Sequence, residues 1–166
     1  MSTYTLISSQ VLGSSAASVT FSSIPSTYKD LVLRYSARGD VAQSSQQIKL
    51  NTDTGTNYSD TFMSGSGSTV ASGNDTNATY GYAYYTQALS SATTNTFGNA
   101  EIYIPNYAGS TNKAFSVFGA GENNGITAYI ASTANLWRNT AAISSLTLTP
   151  NSGNFATNSS FYLYGI

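Results

Sequence analysis

The chain has no histidine, no cysteine, one tryptophan and only 8% charged residues, and each shortage closes off chemistry. Without histidine the commonest general base and metal ligand is missing. Without cysteine there is no thiolate nucleophile, no disulfide and no zinc–thiolate site. A serine nucleophile would then need a lysine to activate it. Lys29, Lys49 and Lys113 are the only three, and a solvated surface is the plainer reading of all of them. A net charge of −1 cannot displace the counterions of a polyanion, so nucleic acid is not expected as a partner. No run approaches the roughly 20 apolar residues of a membrane span, and the N-terminus MSTYTLISSQ lacks the basic and apolar regions of a secretory leader; no membrane partner is expected. Near-zero charge also removes the repulsion that keeps monomers apart.

The remaining acids suggest little. Glycoside hydrolysis requires a carboxylate pair, and Glu101, Glu122 and five aspartates are the whole supply. Glu101 alternates with Ile102 and Ile104 and reads as an outward strand residue, while Glu122 precedes a turn. In NTDTGTNYSD, Asn51, Asp53 and Asp60 offer oxygen ligands, but the spacing and terminal glutamate of a calcium loop are missing. The segment GSGSTVASG has no lysine after its glycines and no strand-to-helix setting for a phosphate cradle. No catalytic residue, cofactor or metal is assigned, and the chain is read as a non-enzyme.

What the chain does have is 13 tyrosines, 7 phenylalanines and 40% hydrophobic residues. That is too much apolar matter for a disordered chain and suits pleated, half-buried strands. At 166 residues about two-thirds of the extended surface can be buried, so one domain, 1–166, is expected. Apolar residues recur at period two in short bursts separated by Gly, Asn, Ser and Thr. In LVLRYSAR, Leu31, Leu33, Tyr35 and Ala37 form the core face and Arg34 and Arg38 the outer one. Similar bursts occur at SVTFSSI, QQIKLN, YSDTFM, TYGYAYYTQ, NAEIYIPNY, AFSVFGA, ITAYIAS, ISSLTLTP and SSFYLYGI. With residues 1–10 as an N-terminal arm or first strand, about eleven strands are expected. No helix is needed, although ANLWR could hold a turn; a type I′ hairpin is placed at Asn124-Gly125, and a flexible loop over 65–77 by composition. Unequal connections favour an all-β, antiparallel two-sheet β-sandwich, jelly-roll-like, over an up-and-down barrel.

Aromatics supply the candidate contact residues. Tyr80, Tyr82 and Tyr84 share a face in TYGYAYYTQ; Tyr162 and Tyr164 face outward if Phe161 and Leu163 enter the core. Such rows can be cross-strand ladders, a subunit interface or a platform for sugar rings. Trp137 and Arg138 in NLWRN admit an interface or carbohydrate reading beside the plainer one, a core tryptophan. The tripeptide Arg38-Gly39-Asp40 can be read as an adhesion ligand, but a strand end followed by a turn explains the same residues.

SVTFSSIPSTYKDLVLRYSAR, LNTDTGTNYSDTFMSGSGSTVASG, NAEIYIPNYAGSTNKAFSVFGAGENN and LWRNTAAISSLTLTPNSGNFATNSSFYLYGI together resemble a β-rich module of virion proteins of tailed bacteriophages, from about Val11 to Ile166. The resemblance implies a structural virion protein with no catalytic residues to carry over. Because only about ten residues precede the module, it implies a capsid decoration or cement protein on the outer head surface, as a homotrimer contacting the major capsid protein. A tail location is the lesser expectation. The alternative is a receptor-binding fibre tip that holds bacterial surface glycans.

Overall fold

A computed structural model describes residues 3–122 and 128–166. The described residues form strands β1 (Thr5–Val11), β2 (Val19–Phe21), β3 (Leu31–Ala37), β4 (Gln46–Leu50), β5 (Tyr58–Ser66), β6 (Thr69–Ala78), β7 (Gly81–Ala83), β8 (Gly98–Ile104), β9 (Lys113–Gly121), β10 (Tyr129–Trp137), β11 (Leu146–Pro150) and β12 (Ser160–Gly165). Eight make one antiparallel sheet, in the order β1-β12-β3-β8-β9-β10-β5-β6, and four make a second, β2-β11-β4-β7. The fold is the all-β two-sheet sandwich that the alternation implies. Pairing is nested, β1 with β12, β2 with β11 and β5 with β10, as in a long hairpin rolled into a jelly roll.

The inner faces follow the parity of the sequence. Leu31, Leu33, Tyr35 and Ala37 are buried and face Val19, Phe21, Ile48, Leu50, Leu146 and Leu148 of the small sheet in one core. Two phenols stitch the layers: Tyr35 donates to Gln46 Oε1 at 2.8 Å, and Tyr58 accepts the Leu50 N–H at 2.9 Å. Both are polar tips on buried rings, and each finds a partner where an orphan would be costly.

Four expectations need correction or restriction. Residues 65–77 are not a flexible loop: they form most of a hairpin in which β5 pairs with β6, Ser66 opposite Thr69. Gly67, at φ +64°, supplies the left-handed first position of its two-residue turn. β6 is an edge strand with almost every side chain exposed, so its composition resembles a loop's. ANLWR holds no turn, because Ala134 to Trp137 continue β10. Lys113 is not a surface lysine. It opens β9 in phase with Phe115 and Val117 and is 1% exposed; its ammonium donates to the Gly109, Thr111 and Thr140 carbonyls, and desolvation lowers its pKa. The Asn124-Gly125 turn lies outside the described residues, although β9 and β10 on either side pair antiparallel, Gly121 opposite Tyr129.

Candidate functional site

The large sheet turns one face to the core and the other to solvent. Register places Ser9, Tyr162, Arg34, Glu101, Phe118, Ser132, Met63 and Ser72 in one outward row across all eight strands. At one end of the row Arg34 meets Glu101 at 2.7 Å, with both side chains about half exposed, and its guanidinium lies 4.7 Å above the Tyr4 ring. These opposite charges cancel. Toward the other end the face becomes apolar. Met63, Val70, Phe118 and Ile130 are 53–79% exposed and surround a shallow depression of about 300 Å³ floored by Ser64, Gly65, Ala131 and Ser132. No charged residue lines it.

The ring residues expected to form a contact surface do not converge on one place. Trp137 is a correction: it is fully buried, stacks on Tyr58 and donates its indole N–H to Asp53 Oδ2 at 2.7 Å. It cannot touch a glycan or a partner. Arg138, just past the same strand end, donates to Thr56 O and Asn77 Oδ1, tying the segment before β5 to the end of β6. Tyr82 and Tyr84 are half-buried, stacked 4.5 Å apart, with Phe62 4.1 Å from the far face of Tyr84 and Tyr80 edge-on to Tyr82. Their faces are largely covered. Phe161 and Leu163 do enter the core, and Tyr162 and Tyr164 lie on the outer face, Tyr164 edge-on to Tyr4.

The tripeptide Arg38-Gly39-Asp40 is wholly engaged in the fold. Arg38 donates to the carbonyls of Ser90, Ala92, Thr93 and Thr96, so one guanidinium organises the connection between β7 and β8. Gly39 N–H bonds Ala88 O. Asp40 accepts the backbone and side-chain N–H groups of Asn154, and these bonds hold its carboxyl below the ordinary range. An adhesion ligand would need these atoms free.

Most other acids are similarly occupied. Asp30 accepts from the Tyr103 hydroxyl and Asn106 N–H. Asp53 accepts from Gly55, Asn57 and Trp137; burial pushes its pKa up, but these bonds outweigh it and the carboxyl sits low. Asn51 is bonded to Ala142, Ser144 and Ser145, so the residues of NTDTGTNYSD are not gathered as a calcium loop. Asp60 differs. It is 4% exposed and neither oxygen meets a donor at good hydrogen-bond geometry; its strand neighbour across the ladder is Asp75, and burial first, then the Asp75 charge, raise its pKa to about 6 although the nearby Tyr84 hydroxyl pulls the other way. A raised carboxyl beside a second carboxyl resembles a glycosidase pair, but no sugar ring can reach Asp60 oxygens that are shut off from solvent.

Two features escaped sequence reading although parity marks both. Phe118, Met63 and Ile130 fall out of phase with the core positions of their strands, so each is an apolar residue on the polar face. Asp60 falls in phase with core Tyr58, so it is an acid on the apolar face. No family model matches the chain, and no curated protein matches it. Among solved structures the chain is similar to the crystal structure of the Caenorhabditis elegans galectin LEC-6, at 11% identity and a TM-score of 0.41, over 93% of this chain and 94% of that one.

Proposed function

We propose that this chain is a non-enzymatic structural protein of a tailed-bacteriophage virion, a decoration or cement protein that binds the outer head surface as a homotrimer and contacts the major capsid protein. One observation carries the reading: the neutral outer face of the large sheet, apolar toward its β6 edge at Met63, Val70, Phe118 and Ile130. Apolar side chains grouped on an otherwise polar surface mark interaction sites, and this patch has no charge of its own to desolvate. The quoted phrases that resemble virion modules supply β3, β5, β9, β12 and nearly all of β8 in this sheet, and a trimer suits the local threefold positions of a head lattice.

The competing reading, a glycan-binding fibre tip, has lost much of its platform. Trp137 is internal and the faces of Tyr84 are covered, which leaves Tyr162, Tyr164 and the Arg34–Glu101 pair. The deciding experiment is quantitative mass spectrometry of separated heads and tails from virions carrying the natural chain or Phe118→Asp. The proposal expects many copies on heads and their loss in the variant, with the purified variant still folded by circular dichroism. A few copies on tails and none on heads would overturn it.

A further inference from the structure

Asp60 is, among the described residues, the one buried acid whose two oxygens are both unbonded. β5 carries it in phase with Tyr58, so its side chain enters the sandwich, and Asp75 of β6 stands directly opposite. Adjacent to this pair the ladder shifts register between Tyr58 and Asp60, with Asn77 at φ +56°, which re-aims the edge strand around the acids. Directly paired residues have Cβ atoms about 4.5–5.5 Å apart, close enough for both carboxylates to touch one ion.

The Tyr84 hydroxyl lies beside Asp60, but among the described residues no cation pairs with either acid. Asn135, the β10 neighbour of Asp60, spends its amide on Tyr82, accepting from its N–H at 2.8 Å and donating to its carbonyl at 3.0 Å. The guanidinium of Arg138 is held by Thr56 and Asn77. The only ion pair among the described residues is Arg34–Glu101. A buried carboxylate left unpaired beside another carboxylate is strongly unfavourable, and buried charges otherwise pair or coordinate a metal.

Chemistry selects the occupant. An organic ammonium would seek aromatic faces, yet Tyr84 has Phe62 at 4.1 Å on one side and Tyr82 at 4.5 Å on the other. What remains is oxygen: two carboxylates and the Tyr84 hydroxyl, whose proximity to both acids pushes its pKa up after burial has done so. All are hard donors, suited to calcium-like ions. We propose that Asp60 and Asp75 bind one divalent, oxygen-seeking cation of the calcium class, pinning edge strand β6 to β5. The ion enters from the side of Asp75, which is exposed, and water completes its shell there; two carboxylates place the site at the weak end of the range, a Kd of about 10⁻⁴ to 10⁻³ M.

The test uses the full chain stripped with chelator, then titrated with calcium chloride, and separately with terbium chloride as a luminescent stand-in sensitised by Tyr82 and Tyr84. The expected result is saturable terbium emission that calcium displaces, a rise in melting temperature with calcium, and affinity reduced about tenfold or more in both Asp60→Asn and Asp75→Asn. Glu101→Gln should bind as the natural chain does. Asp75 is exposed, so its variant keeps the test valid even if Asp60→Asn fails to fold. Absence of saturable binding up to 10-fold above about 10⁻³ M, or binding that survives either aspartate substitution, would overturn the proposal.

Discussion

Arg38 and Asp60 are two scarce charges with opposite fates, one satisfied by four carbonyls and the other, among the described residues, without a bond of good geometry. The difference has a pH signature. The Asp60 carboxyl is pushed to about 6, against about 3.9 unfolded, and Asp75, Tyr82 and Tyr84 are the titratable groups around it. Between those two values the native chain holds a proton that the unfolded chain has released, so stability falls as pH rises through the window. Asp40 and Asp53, held low by their bonds, act with the other sign; their stabilisation is present above about 3.9 and is lost as pH falls through their native values. In chelator, the melting temperature is therefore expected to be higher near pH 5 than at pH 7.5, and Asp60→Asn to remove that difference. Equal melting temperatures for the natural chain at both pH values would contradict the assignment. The burial of Asp60 was legible as parity in YSDTF. Its lack of a partner was not, because that depends on Asn135 and Arg138, which lie far along the chain and are committed elsewhere.

Strands with one buried face are readable because burial imposes alternation; β8, β9 and β12 show it along their length, and β3 shows it except at Val32, which is buried on the outer side as well. β6 has no buried face to impose a pattern, so serines, glycines and asparagines there looked like a loop. One of those glycines has a packing reason. Gly73 lies opposite Phe62, and a Cβ at Gly73 would come within 2.8 Å of the ring, the same ring that stacks on Tyr84. Gly73→Val should therefore displace Phe62 from its stack and destabilise the chain by about 1–3 kcal/mol. Ser72→Val, one residue away on the outer face opposite Met63, should stay within about 0.5 kcal/mol. Urea denaturation of the two variants side by side gives the answer, and equal midpoints would refute a packing role for this glycine. Strand order was beyond sequence reading for a different reason: β12 enters between β1 and β3, and β11 between β2 and β4, pairings set by complementarity of faces far apart in sequence.

The whole molecule has little charge and one apolar outer face, and these two properties together bear on assembly. Proteins far from neutrality repel their copies, whereas this one, at −1, offers only weak opposition to contact. Burying Met63, Val70, Phe118 and Ile130 between copies would recover roughly 1–2 kcal/mol per side chain, since between a fifth and a half of each is already covered. Four such residues in each of three equivalent contacts could hold a closed ring at micromolar concentration, provided the contact spans well beyond the patch itself. If this face joins the copies of the proposed trimer, light scattering after size-exclusion chromatography should give three times 17.4 kDa, about 52 kDa. Phe118→Asp should return the mass to that of a monomer, because a carboxylate would then be desolvated at the centre of each contact. Its melting temperature, corrected for the lost association, should change little, since Phe118 touches solvent rather than the core. A natural chain that stays monomeric at high concentration excludes a preformed trimer; a trimer that persists in Phe118→Asp assigns the contact to another face and frees this one for the capsid.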